Sequence, residues 1–178
     1  GSLMSKMPGD DWQKFANMRC MFSYMYAQTG KKILFMGADY GQWEEWRHDH
    51  SLNWHQLDYE PHQQINRLMR DLNAVYRDER AMHELDFDHR GFEWVDASDY
   101  ESSILSFLRK SESGDELVLC AFNFTPVLRH GYHIGVPQPG AWQEIINSDN
   151  ELYGGCNNLN GTKEAQEGEV HGRPYYLD

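Results

Sequence analysis

The sequence of 178 residues lacks the features that mark membrane-spanning and nucleic-acid-binding proteins. No stretch approaches the run of about 18 apolar residues that a membrane-spanning helix requires. Basic residues are also few: 16 Lys and Arg against 28 Asp and Glu give a net charge of −12, which repels phosphate backbones and anionic lipid surfaces. Nucleic acid and membranes are therefore excluded as expected partners, whereas a neutral ligand such as a sugar is not.

Cysteine is scarce as well, with only Cys20, Cys120 and Cys156 present. The three are widely spaced, and no CxxC or metal-ligand grouping occurs. An odd, scattered set of thiols is typical of a reducing compartment rather than of a disulfide scaffold. We therefore expect free thiols, a cytoplasmic location, no metal and no cofactor.

Helical and strand patterns alternate in the first part of the chain. A helix over 10–29 is predicted by Asp10 as N-cap, by Gln13 three places later as in a capping box, and by Gly30 as a stop. The apolar run at 33–37 predicts a buried strand, and Pro61 opens a second helix with one apolar face. This order of helix, strand, loop and helix matches half of the alternating strand and helix pattern of an α/β barrel. One strand cannot be a complete sheet.

A long loop, from Ala38 to about Glu60, separates the predicted strand from the second helix and is too long to be a simple connection. It carries the candidate ligand-contacting residues Asp39, Tyr40, Trp43, Trp46 and Trp54. Tryptophan faces suit the apolar side of a sugar, but packing of the loop onto the rest of the fold is the more usual role of such residues, so both interpretations stay open.

The same loop holds residue types that metals favour, namely His48, Asp49, His50 and His55. Spacing along a loop does not supply the convergent geometry that a metal site needs. We therefore expect exposed or capping histidines here.

From about residue 91 the pattern changes to short strand-like segments bounded by turn-forming residues. Strands are predicted at 92–95, 103–108, 116–124, 132–136 and 142–147, with a last one around 170–177. The stretch 157–169 is rich in Asn, Gly, Glu and Thr and is predicted to be a mobile loop. An antiparallel all-β module is expected, whose aromatic residues are more typical of core packing than of a surface sugar site.

Several segments, in order along the chain, resemble the bacterial glycogen branching enzymes of the α-amylase clan. They are MPGDDWQKFAN (7–17), KKILFMG (31–37), QWEEW (42–46), HDHSLNWH (48–55), HELDFD (83–88), GFEWVD (91–96), SFLR (106–109), FNFTP (122–126) and YGG (153–155). The resemblance implies the C-terminal portion of such an enzyme. Residues 1–88 would be the last helix–strand–helix of a (β/α)8 barrel, with its strand at 32–37, and residues 89–178 an all-β antiparallel sandwich.

The resemblance also implies a reaction, a retaining double displacement on α-1,4-glucan that ends in an α-1,6 branch. The catalytic groups of that family fall on strands upstream of residue 1, so no catalytic residue is expected in this chain. Asp39, Glu44 and Glu45 are accordingly not expected to form a catalytic pair. Contacts with α-glucan are expected instead from the candidate residues of the loop.

Three hypotheses follow from the sequence. The first is an inactive part of a branching enzyme, the second is a non-catalytic α-glucan-binding or structural module, and the third is part of another α-amylase-clan enzyme, such as an amylase or a trehalose-forming hydrolase. A barrel strand without neighbours would expose unpaired backbone and apolar side chains. Self-association through residues 10–40, or disorder there, is therefore also predicted.

Overall fold

The computed structural model describes all residues from Gly1 to Asp178, and the contacts among them divide the chain into two compact units. The first unit contains residues 1–76 and 146–159, and the second contains residues 77–145 and 160–178. The chain thus passes from the second unit into the first at residue 146 and returns after residue 159. The domain division after residue 88 stays a prediction.

Helices α1 (Leu3–Lys6), α2 (Asp11–Ala27) and α3 (Glu60–Asp78) give the first unit most of its regular structure. The Gln13 backbone N–H donates to the Asp10 carboxylate at 2.9 Å, and the Asp10 N–H donates to the Gln13 side chain at 2.8 Å. The predicted capping box is therefore confirmed. None of the helices combines the length and the apolar character needed to cross a bilayer.

The core of the first unit lies between α2 and α3. The predicted apolar face of α3 is buried, and it packs on apolar side chains of α2 and on Met4 of α1. The residues of this core are Met4, Phe15, Met18, Phe22, Tyr26, Ile65, Leu68, Met69, Leu72 and Tyr153. Because α3 begins directly after the long loop, its packing fixes the C-terminal end of that loop.

Residues 146–159, which we call the clasp, pack on this helical core. Tyr153 is buried, and its hydroxyl donates to the Asp71 carboxylate of α3 at 2.5 Å. The Arg19 Nε of α2 donates to the carbonyl of Ser148 at 3.0 Å. Both α2 and α3 are thus bonded to the clasp.

The strand predicted at 32–37 is not formed in this chain. Residues 31–35 have no regular secondary structure, and Ile33 and Phe35, expected to be buried, are 77% and 60% exposed. A strand exists only through hydrogen bonds to neighbouring strands. All the strands of the structure lie in the second unit, so this segment has no strand to pair with.

Seven antiparallel strands in two sheets build the second unit, which confirms the predicted antiparallel all-β module. One sheet has the order β1-β2-β3 and the other β4-β7-β6-β5. The strands are β1 (Phe92–Asp96), β2 (Ile104–Lys110), β3 (Leu117–Asn123), β4 (Ile134–Val136), β5 (Gly140–Gln143), β6 (Thr162–Val170) and β7 (Arg173–Leu177). At the centre of the first sheet, the buried Phe107 pairs with Trp94 and Cys120.

The loop predicted at 157–169 is wrong in its second half, because β6 occupies Thr162–Val170. Its side chains are polar because most of them are exposed, and backbone bonds to β5 and β7 hold the strand in place. His171 and Gly172, both with positive φ, form the tight turn into β7. The strand predicted at 142–147 also differs: β5 ends at Gln143, and residues from 146 onward belong to the clasp.

Candidate functional site

The candidate residues lie on residues 38–59 of the first unit, which we call the rim loop. It opens with a 3-10 turn, Ala38–Tyr40, between Gly37 and Gly41, whose φ angles are 79° and 70°. Glycine adopts this left-handed backbone without strain. A second 3-10 turn, Trp54–Asp58, leads into α3. Two short turns therefore fix the ends of the loop, and most residues between them are exposed.

Tyr40 is fully buried and supports its neighbours. The centroid of its ring lies 5.7 Å from that of Trp54, and its carbonyl oxygen is 2.8 Å from His62 Nδ1. Burial raises the pKa of the Tyr40 phenol, with a smaller effect of the Asp39 charge. Burial also lowers the pKa of His62. Both side chains are therefore neutral at pH 7, and together they form the uncharged floor of the loop.

The three tryptophans of the rim loop have different surroundings. Trp54 is 56% exposed, the largest exposure of the three. Trp46 is 38% exposed and packs edge-to-face on Phe35 at 5.5 Å between centroids. Trp43 is half-buried and packs edge-to-face on Phe15 of α2 at 5.9 Å. Trp43 thus packs on the core, whereas Trp54 offers a wide surface to solvent.

Asp39 is half-buried and lines an open cleft of about 400 Å³. Its apolar wall comes from residues 34–36 with Leu52 and Met69, and its polar wall includes Asn66 and Arg70 of α3. Asn66 Nδ2 lies 3.5 Å from the Asp39 carboxylate. Of the five predicted contact residues, the cleft includes Asp39, and the three tryptophans and Tyr40 lie outside its lining.

Sequence reasoning missed two buried glutamines that brace the rim loop. Gln42 accepts hydrogen bonds from the Tyr40 hydroxyl and the Asn53 backbone N–H, and Gln56 accepts one from the Trp43 backbone N–H at 3.2 Å. Gln42 stands in the QWEEW motif, yet neither periodicity nor spacing distinguishes a bracing glutamine from a solvated one. Their roles become visible only once the loop is folded.

The histidines of the rim loop do not converge. Asp49 forms exposed ion pairs with Arg47 at 3.0 Å and with His50 at 2.9 Å. The structure brings together no group of three or more His, Cys, Asp or Glu side chains that could hold a metal ion. The contacts of Asp49 are therefore those of a solvated surface.

Comparison with known proteins first defines the class of the β unit. Residues 94–178 match the family described as the alpha amylase C-terminal all-beta domain. This match contains nearly all of the strands β1 to β7. Residues 94–178 are therefore similar to an all-β domain of the α-amylase type.

Over most or all of its length the chain is also similar to bacterial branching enzymes. It is 55% identical over 99% of its residues to the 1,4-alpha-glucan branching enzyme GlgB of Aquifex aeolicus. It is 53% identical over 99% to that of Cereibacter sphaeroides and 52% identical over 90% to that of Thiobacillus denitrificans. The resemblance predicted from the sequence is thereby confirmed. The chain spans 28%, 24% and 22% of these relatives, about a quarter of their length.

Proposed function

We propose that this chain is the C-terminal part of a 1,4-α-glucan branching enzyme of glycogen biosynthesis, acting in the cytoplasm. The whole enzyme cleaves an α-1,4-glucan and transfers the released chain to a 6-hydroxyl, which forms an α-1,6 branch. The proposal is supported by identities above 50% to relatives that carry this name and by the α-amylase-type β domain. In this proposal the chain itself supplies no catalytic group.

Residues 1–88 form in this proposal the end of the (β/α)8 barrel, and residues 89–178 form the C-terminal β-sandwich. The uncovered segment at 33–36 supports the assignment, because its four apolar side chains are all exposed. Barrel strands on either side would supply both the missing hydrogen bonds and the apolar cover. In the isolated chain, the same exposed side chains would favour self-association through this segment.

The chain contributes to the reaction by holding glucan at the rim loop. The observation that carries this role is Trp54, an exposed indole whose ring lies 5.7 Å from the buried ring of Tyr40. An aromatic side chain that is already fixed loses little freedom when it stacks on the apolar face of a glucosyl unit. Asp39 adds a carboxylate that accepts hydrogen bonds from sugar hydroxyls.

Isothermal titration of the chain with maltoheptaose tests this role. We expect Trp54→Ala to weaken binding by about fivefold or more, because a lost aromatic contact is worth on the order of 1 kcal/mol. Trp94→Ala removes a similarly exposed tryptophan from β1 and is the matched control. Equal affinities for the wild type and Trp54→Ala would refute the role of Trp54.

An iodine-stain branching assay on amylose, run on the same chain, tests the absence of catalytic groups. We expect no branching by the chain alone. Branching activity would place a catalytic carboxylate pair among residues 1–178 and contradict the assignment. A non-catalytic glucan-binding module would also bind maltoheptaose without branching amylose. The two proposals differ for the longer protein of which this chain would be a part, because only the enzyme proposal expects that protein to branch amylose.

A further inference from the structure

Hydrogen bonding across the rim loop converges on the side chain of Gln42, which is 6% exposed. Its Oε1 accepts from the Tyr40 hydroxyl at 2.8 Å and from the Asn53 backbone N–H at 2.9 Å. Its Nε2 donates to the Glu44 carbonyl at 2.9 Å. One side chain therefore joins the opening turn of the loop, its middle, and the residue directly before Trp54.

We propose that Gln42 is a positioning residue for the glucan contact of Trp54, a role that rests on the function proposed above. The bond to Asn53 fixes the backbone before the indole, and the bond to Tyr40 fixes the ring behind it. Because both donors share one acceptor atom, Gln42 holds the Trp54 indole and the Tyr40 ring in fixed positions relative to each other. We call this arrangement of Gln42, Tyr40 and Asn53 the frame.

The chemistry of an amide suits this position. Its oxygen accepts two hydrogen bonds while its nitrogen donates, a combination that carboxylate and apolar side chains lack. Gly37 leaves room for the Gln42 side chain, because a Cβ at position 37 would lie only 3.0 Å from it. The second buried glutamine, Gln56, bonds instead to the backbone of Trp43, so it does not duplicate the frame behind Trp54.

Two substitutions separate hydrogen bonding from shape. Gln42→Met keeps the length of the side chain and removes all three bonds, whereas Gln42→Glu keeps the two acceptor bonds and loses the donation to Glu44. The readouts are maltoheptaose affinity and the ¹⁹F NMR resonance of Trp54 in chain labelled with 5-fluorotryptophan. The Trp54 resonance is assigned by its disappearance in Trp54→Phe.

We expect Gln42→Met to shift and broaden the Trp54 resonance and to weaken maltoheptaose binding by about fivefold or more, because buried hydrogen bonds to the frame are lost. Gln42→Glu is expected to restore the resonance and the affinity only in part, because it keeps both acceptor bonds but places a carboxylate oxygen against the Glu44 carbonyl. Gln143→Met makes the same change at an exposed position of β5 and is expected to alter neither readout.

An unmoved Trp54 resonance in Gln42→Met overturns the proposal, and so does a displaced resonance with unchanged affinity. If Gln42→Met does not fold, Tyr40→Phe removes a single donor and keeps the packing of the ring. A smaller shift of the same resonance then supports the proposal, and no shift overturns it. Failure of the proposed function gives a different pattern. Trp54→Ala would then leave the maltoheptaose affinity unchanged, while Gln42→Met would still displace the Trp54 resonance.

Discussion

His62 is the buried titratable residue beneath the rim loop, in edge-to-face contact with Phe15, Tyr40 and Trp43. Burial lowers its pKa in the folded state, whereas the unfolded chain takes up a proton near the ordinary value of about 6.5. As the pH falls, the unfolded state therefore binds the proton first. The contribution of neutral His62 to stability is complete above about pH 6.5 and is lost as the pH falls below it.

Urea unfolding of the wild type and His62→Asn at several pH values between about 8 and 5 checks this expectation. Asparagine keeps a donor for the Tyr40 carbonyl and does not titrate. We expect the free energy of unfolding to fall more steeply in the wild type than in the variant below about pH 6.5. Parallel curves for the two proteins would show that His62 is not the titrating group.

Arg109 of β2 is a charged residue with no exposure at all. Its guanidinium donates to the Asp86 carboxylate at 2.7 Å and to the carbonyls of Met82 and Gly91 at 3.1 and 3.2 Å. Arg109→Met removes the cation beside a buried carboxylate, so we expect the free energy of unfolding to fall by about 3–5 kcal/mol.

Chemical denaturation measures this loss, and Arg90→Met provides the matched control. Arg90 pairs with Asp88 at 2.7 Å, but both groups are partly exposed, and such surface pairs contribute little. Comparable losses in the two variants would contradict the importance given to burial.

At the scale of elements, the sequence predicted what local chemistry defines. The capping box of Asp10 and Gln13 and the apolar spacing of α3 are properties of consecutive residues, and both were confirmed. The prediction of a strand at 32–37 was wrong because a strand depends on partners that lie elsewhere in sequence. The strand β6 was predicted to be part of a loop because an exposed strand has the polar composition of a loop.

For the candidate site, the sequence predicted the long, aromatic-rich rim loop, and the structure has that loop at 38–59. The contact of its residues with glucan stays a prediction, with which the exposure of Trp54 agrees. The frame made by Gln42 was not predictable, because its three partners are set by a loop conformation without any repeating pattern. The clasp was also missed, since residues 146–159 interrupt the order of the β unit.

The clasp gives an element-scale prediction. Tyr153 buries its ring in the helical core and donates its hydroxyl to Asp71 at 2.5 Å. Tyr153→Phe keeps the ring and removes this bond to a charged acceptor, so we expect a loss of about 1–3 kcal/mol in the free energy of unfolding. Tyr100→Phe, at a highly exposed tyrosine, should leave it unchanged.

Hydrogen exchange locates the effect. Faster exchange in Tyr153→Phe should appear in residues 146–159 before it appears in β2, because a segment opens first where its own contacts are weakened. Simultaneous acceleration in both places would show that the clasp does not open as a separate element.

On the scale of the whole chain, two surface properties oppose each other. The net charge of −12 makes copies of the chain repel, whereas the uncovered apolar segment at 33–36 favours their association. Screening by salt weakens the repulsion and leaves the apolar attraction in place. Association of the isolated chain should therefore increase with both protein concentration and ionic strength.

Sedimentation velocity of the isolated chain tests this prediction. We expect the double substitution Ile33→Lys and Phe35→Lys to keep the chain monomeric at concentrations where the wild type associates. The control is Val127→Lys with Leu128→Lys, which makes the same change at two exposed apolar positions of the second unit. Equal association of the two double variants would mean that added charge, rather than this segment, controls assembly. A monodisperse wild-type monomer with a backbone at 33–36 protected from hydrogen exchange would contradict the prediction, because such protection requires hydrogen bonds that the structure does not provide there.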